Sequence, residues 1–240
     1  MTASQTASAS AQREVYFISG LGADWRVFQR LTLDDYRPVH IRWERPLRGE
    51  SIEQYAHRLL RQVTSEQPIL VGLSFGGLMA VEMAKLCQPA RVVVISSATT
   101  TTQIPAYFRV FRWLPLQLVM PFKQFLWAAY WLLNWLFGLD TPEDCSLFKQ
   151  VLVDTDPDFL KWAINRVVSW RNRVVPNNLV HIHGSRDRIF PQGHQDADIV
   201  VPNGGHLMVL NRAEEISQQL TAVLNKIPSQ CSQPDPKVIA

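Results

Sequence analysis

Ile69-Leu70-Val71-Gly72-Leu73-Ser74-Phe75-Gly76-Gly77-Leu78-Met79-Ala80-Val81-Glu82-Met83-Ala84 is the stretch that decides the fold. An apolar run of strand character leads straight into a glycine-flanked serine, and a helix-like run follows at once. A serine on such a strand-to-helix turn tolerates almost no side chain two residues before or after it, because bulk there collides with the neighbouring strand and helix. Gly72 and Gly76 meet that demand. The pattern predicts a nucleophile elbow. Its strained turn lifts the Ser74 hydroxyl clear of the backbone, and the start of the helix aims amide donors at charge developing on a substrate oxygen.

A serine hydroxyl is a poor nucleophile until a positioned imidazole takes its proton, and the imidazole needs an acid to hold its tautomer. Both partner types lie downstream. The strand-like Leu179-Val180-His181-Ile182-His183 runs into Gly184-Ser185-Arg186-Asp187-Arg188-Ile189-Phe190-Pro191, which puts Asp187 in a loop at a strand's carboxyl end. Ala197-Asp198-Ile199-Val200-Val201 reads as one more short strand. Pro202-Asn203-Gly204-Gly205-His206 follows, and places His206 on the next loop along the same edge. Ligands of open parallel sheets bind at that edge.

The rest of the chain alternates strand and helix. Val15 to Ser19 and Pro38 to Trp43 read as strands, with a short helix at Trp25 to Leu31 between them; Ser51-Ile52-Glu53-Gln54 is a capping box opening a helix to about Val63. Arg91 to Ser96 reads as a buried strand, and Asn211-Arg212-Ala213-Glu214 as the cap of a helix to about Lys226. The expected class is α/β, a mostly parallel sheet of about six strands covered by helices on both faces.

These motifs, with the glycine loop after Val15-Tyr16-Phe17-Ile18 (Ser19-Gly20-Leu21-Gly22-Ala23-Asp24), resemble the α/β-hydrolase superfamily from about Glu14 to Ile227. The resemblance implies that Ser74 attacks, His206 serves as base and then acid, Asp187 orients it, and the backbone amides of Leu21 and Phe75 form an oxyanion hole. Ser19-Gly20 stands where that superfamily often has His-Gly, so a supporting hydrogen bond behind the loop is expected to differ. The first strand matches the superfamily's third, which implies that two leading strands are missing. The short interval from Asp187 to His206 implies a trimmed connection before the last strand.

Composition agrees with one enzyme domain over 14–227, flanked by flexible tails at 1–13 and 228–240. With 240 residues, 47% hydrophobic and 19% charged, the chain can bury a sizeable core. A net charge of +3 without a Lys/Arg block argues against nucleic acid as partner. Cys87, Cys145 and Cys231 are odd in number and widely spaced, which fits a reduced, cytoplasmic setting better than a disulfide scaffold. His181 and His183 share one face of a strand, a spacing a metal could use; no third ligand is evident, and packed histidines are the preferred reading, so no metal is expected.

The alternation stops between 98 and 178, where the superfamily usually inserts a helical cap after the strand that follows the elbow helix. Thr141-Pro142-Glu143-Asp144 and Asp156-Pro157-Asp158 are helix starts, with proline at the first helical position and acids in the first turn. From Pro105 to Phe137 the chain holds eleven aromatics and no acidic residue, so a buried or lipid-facing surface is required. Three readings stay open: the aromatics line an apolar pocket, with Trp127 and Trp131 as its candidate walls; part of the cap rests peripherally on a membrane beside Arg109, Arg112 and Lys123; or they form a dimer contact. Thr99 to Thr102 is expected to be solvated loop at the cap entrance.

The residues therefore lead to the expectation of a cofactor-free serine hydrolase of carboxylic esters or thioesters carrying a hydrophobic group. A lyase, C–C hydrolase or acyltransferase would use the same triad, and a non-catalytic ligand receptor or membrane-binding protein would keep the pocket without the chemistry.

Overall fold

The computed structural model describes residues 12–109, 130–191 and 196–228; the expected tails, save residues 12, 13 and 228, and Arg112, Lys123 and Trp127 lie outside them, and Arg13, expected in the leading tail, opens the first strand. Six parallel strands form one sheet: β1 (Arg13–Ile18), β2 (Tyr36–Ile41), β3 (Ile69–Leu73), β4 (Arg91–Ile95), β5 (Leu179–Gly184) and β6 (Ile199–Val201), in the order β2-β1-β3-β4-β5-β6. Successive side chains of a strand point to opposite faces, and here each set enters its own core. Val15, Phe17, Ile69, Val71, Leu73, Val93 and Ile95 join one cluster, while Tyr16, Ile18, Leu70, Val92 and Val94 join the other. Burial on both faces is why these strands read as continuous apolar runs rather than alternating ones.

Helices α1 (Ile52–Leu59), α2 (Phe75–Ala84) and α5 (Pro157–Ser169) contribute to the second cluster; α4 (Pro142–Asp154), α6 (Met208–Asn211) and α7 (Ala213–Leu224) contribute to the first. The capping box of α1 is formed, with Ser51 and Gln54 bonding each other's backbone amides. α4 and α5 start on the Thr141 and Asp156 side chains with proline in the first turn. The cap expected at Asn211 is not: α7 begins after Arg212 without a side-chain cap, because Asn211 instead donates its Nδ2 to the Gly138 carbonyl at 2.7 Å.

Between β4 and β5 the described residues hold α3 (Tyr130–Phe137), α4 and α5, with two short 3-10 turns at Thr101–Gln103 and Ala106–Arg109. The Thr99–Thr102 segment departs from expectation. Thr99 is buried, and the Thr101 hydroxyl donates to the carbonyls of Trp170 and Asn172 at 3.1 and 2.9 Å, tying the segment to the far end of α5. Buried Glu82 on α2 strengthens the same junction by accepting from Trp170 Nε1 at 2.7 Å and Lys85 Nζ at 2.6 Å.

From β1 the chain moves one way to β2 and the other way to β3. The carboxyl ends of β1 and β3 therefore flank a topological switch point, where open α/β sheets leave a crevice. The Ser19–Asp24 loop follows β1, and Ser74 follows β3.

Candidate active site

Ser74 sits at φ 52° and ψ −120°, in a region that L residues avoid unless the surroundings impose it. Its own amide donates to the Ile95 carbonyl at 2.9 Å, and its carbonyl accepts from Gly77 N at 2.8 Å and Ser97 Oγ at 2.7 Å, so the turn is pinned from β4 as well as from α2. The flanking glycines are required by contact. A Cβ on Gly72 would overlap the Gly76 carbonyl, and one on Gly76 would overlap the Ile18 and Ser19 carbonyls of the neighbouring strand end.

Two further loops converge on this turn. Gly184 and Gly204 let the loop before His206 pass directly against the end of β5. His206 Nε2 then lies 2.9 Å from Ser74 Oγ, and His206 Nδ1 lies 2.8 Å from Asp187 Oδ2. A carboxylate only accepts, so Nδ1 carries the imidazole proton and Nε2 is left to accept from the serine hydroxyl. Asp187 is 4% exposed and His206 1%. Burial pushes the Asp187 carboxyl up, but His206, the Phe190 amide and nearby His183 more than offset it, and the net shift is downward; the amides of Ile189 and Phe190 both donate to Oδ1 at 2.8 Å. Asp187 therefore stays charged in a site that excludes water.

The imidazole is also held sideways. Phe190 stacks on it with ring centroids 5.9 Å apart, and Phe137 meets it edge-on at 5.3 Å. Neither ring was singled out from the sequence. Phe190, three residues after Asp187, left a local signal; Phe137 left none, since its place follows from the α3 end packing Gly138 against Gly205.

The loop after β1 approaches the same serine. A Cβ built on Gly20 would lie 3.3 Å from Ser74 Cβ, and Leu21 packs with the cluster that contains Phe75. Phe75 opens α2, so its amide belongs to the positive end of that helix. Ser19, in place of histidine, donates its hydroxyl to the Ala23 carbonyl at 2.8 Å, while Ala23 N donates to Gly20 O at 3.1 Å and Trp43 Nε1 to Ala23 O at 3.1 Å. This local set of bonds ties the glycine turn. Beside it, Ser19, Ala23, Trp25, Trp43 and Phe159 border a groove of about 680 Å³.

The structure thus brings Ser74, His206 and Asp187 into one hydrogen-bonded line, with Leu21 and Phe75 alongside. It does not bring Trp131 in: that side chain is 81% exposed on the outer face of α3. His181 and His183 bond each other at 3.3 Å, and among the described residues no group of three His, Cys, Asp or Glu is placed to hold a metal.

The sequence model described as "Alpha/beta hydrolase family" matches residues 15–219. No curated protein matches the chain by sequence. Among solved structures, an esterase from Thermogutta terrifontis aligns with a TM-score of 0.71 at 16% identity, over 90% of this chain and 91% of its own. A bromoperoxidase from Bacillus anthracis aligns at 0.72 and 16%, over 90% and 93%. An enol-lactonase from Burkholderia xenovorans aligns at 0.71 and 18%, again over 90% and 93%. At such identities the likeness is one of fold.

Proposed function

The chain belongs to the alpha/beta hydrolase family, and on that premise we propose that it is a serine hydrolase cleaving carboxylic esters or thioesters with a hydrophobic acyl or alcohol group. The observation that carries this reading is the unbroken line from Asp187 through His206 to Ser74, with 2.8 and 2.9 Å contacts. Ser74 Oγ adds to the substrate carbonyl carbon as its proton passes to His206 Nε2. The carbonyl oxygen becomes an oxyanion, accepted by the amides of Leu21 and Phe75. Collapse expels the alcohol or thiol, which takes the proton from His206, and leaves an acyl group on Ser74. Water then adds with His206 again as base, and the acid leaves. None of these steps calls on a cofactor.

The rings of Phe137 and Phe190 packed on the imidazole exclude the water that would weaken the charge pairs, a setting that suits an apolar substrate. Trp127 stays a proposed wall of the substrate pocket, whereas Trp131, exposed on the outer face of α3, does not. The exposed Trp131, Leu132 and Trp135 face of α3 further favours peripheral contact with a lipid surface. Among the described residues no helix is long and apolar enough to cross a membrane. A cytoplasmic setting belongs to the same proposal.

A chain-length series of chromogenic esters and acyl thioesters tests the reading, with Ser74→Ala as control. Because each buried methylene contributes about 0.8 kcal/mol, kcat/KM should climb roughly fourfold per carbon until the pocket is full. A flat series would remove the hydrophobic acyl site. Turnover absent on every ester and thioester, with the serine still reactive, would move the assignment to a lyase, C–C hydrolase or acyltransferase.

A further inference from the structure

Two histidines of β5 lie behind the acid. His181 and His183, paired in register with Val94 and Val200, are 1% and 0% exposed. Imidazoles taken out of water need partners for their polar atoms; both His183 nitrogens and His181 Nε2 have one, whereas buried His181 Nδ1 has no hydrogen-bond partner among the described residues. His183 Nε2 lies 2.7 Å from the Phe190 carbonyl, which only accepts, so Nε2 bears the proton. A neutral His183 then offers a lone pair at Nδ1, which accepts from His181 Nε2 at 3.3 Å.

That makes Phe190 a hub. Its carbonyl accepts from His183, its amide donates to Asp187 Oδ1, and its ring stacks on His206. Its carbonyl and amide lie in successive peptide units of one residue, so displacing the Phe190 backbone at the carbonyl would pull on one of the two amides that fix the Asp187 carboxylate and on the ring that stacks against the imidazole. We propose that His183, backed by His181, is a positioning residue: through the Phe190 carbonyl it locks the Asp187–Phe190 turn, and thereby the angle at which Asp187 Oδ2 meets His206. This role rests on the hydrolase reading above.

The surroundings require the pair to be neutral. Burial lowers both pKa values, that of His181 to about 4. His183 acts on His181, and His206 on His183, in the same direction, whereas Asp187 (3.7 Å from His183 Nε2), Asp198 (whose Oδ2 accepts from His181 N at 2.8 Å) and the backbone of Asp196, Ser97 and Phe190 pull the other way without offsetting it. A proton added to His183 Nδ1 would face the His181 Nε2 proton and set a second cation competing with His206 for Asp187.

Nitrogen-15 NMR of histidine-labelled wild type at pH 7 should show both residues neutral and protonated on Nε2; a charged ring, or an Nδ1 proton on His183, would overturn the proposal without any variant. His183→Leu should lower kcat, and the rate of Ser74 labelling by a fluorophosphonate, by roughly 10- to 100-fold with KM nearly unchanged. It should also shift or broaden the downfield proton signal of His206 Nδ1. His183→Gln, which keeps an N–H near the Nε2 position, should restore the rate to within a few-fold of wild type. A folded His183→Leu protein with a lower Tm but unchanged rate and proton signal would reduce the pair to packing, as would a glutamine variant no better than leucine. Should the leucine variant fail to fold, the tautomer measurement and His183→Gln decide. Wild type that never labels at Ser74 fails the hydrolase reading instead, while the tautomers and the His206 proton still report on the positioning.

Discussion

A hydroxyl held at positive φ with an imidazole nitrogen 2.9 Å away is a costly arrangement for one side chain, and its neighbours show what sustains it. Gly76→Ala should therefore be severe. The added methyl meets the Ile18 carbonyl inside the sheet, and we expect a loss above about 2 kcal/mol or no folded protein, read by denaturant unfolding. Asp187→Asn tests the other end of the line. It should leave the fold intact but lower kcat by roughly 10³- to 10⁴-fold, because an amide donor at Oδ2 favours the wrong histidine tautomer. Activity within tenfold of wild type would show that Asp187 does not orient His206. These residues were legible because elbow chemistry dictates its glycines locally and each partner falls in a loop after a strand. Phe137 was not, since its meaning comes from a contact across loops distant in sequence; Phe190 left only its spacing from Asp187, and the His181–His183 pair was legible as packed histidines but not as partners of the Phe190 carbonyl.

At the scale of elements, the helix starts at Thr141 and Asp156 were readable because caps are local chemistry, and Asn211 misled because its side chain was recruited by the Gly138 carbonyl. Thr99 and Thr101 misled in the same way: polar composition suggested solvent, but Thr99 is buried and the Thr101 hydroxyl bonds to carbonyls at the end of α5. α3 is divided against itself. Tyr130, Leu133 and Phe137 pack on the core, whereas Trp131, Leu132 and Trp135 face outward and Arg188 lies over the Trp135 ring at 4.5 Å. Tryptophan with a guanidinium beside it suits the boundary of an anionic bilayer. Trp131→Ala/Trp135→Ala should thus reduce co-sedimentation with phosphatidylserine-containing vesicles several-fold while leaving hydrolysis of a short soluble ester nearly unchanged. Wild type that stays in the supernatant, or a double variant that sediments equally, would return this face to packing or to a contact between copies.

At the scale of the molecule, the sheet class followed from continuous apolar strands separated by helices, but the order β2-β1-β3-β4-β5-β6 did not, since register and neighbour choice depend on how both faces are filled. The buried β5 histidines give the whole fold a pH dependence. Their folded pKa values lie below the unfolded value of about 6.5, so the unfolded chain binds more protons as pH falls. Stability should decline from pH 6.5 toward about 4, where His181 titrates in the fold, by on the order of 3 kcal/mol for that group alone. His181→Leu should flatten that part of the profile in urea unfolding, and a slope as steep as wild type would place the acid sensitivity elsewhere. The central claim, that this sheet exists here to present an activated serine, is tested most directly by treating the folded protein with a fluorophosphonate and mapping the adduct by mass spectrometry. The account predicts stoichiometric modification at Ser74 that disappears in His206→Ala; an unmodified protein, or an adduct on another residue, would contradict it.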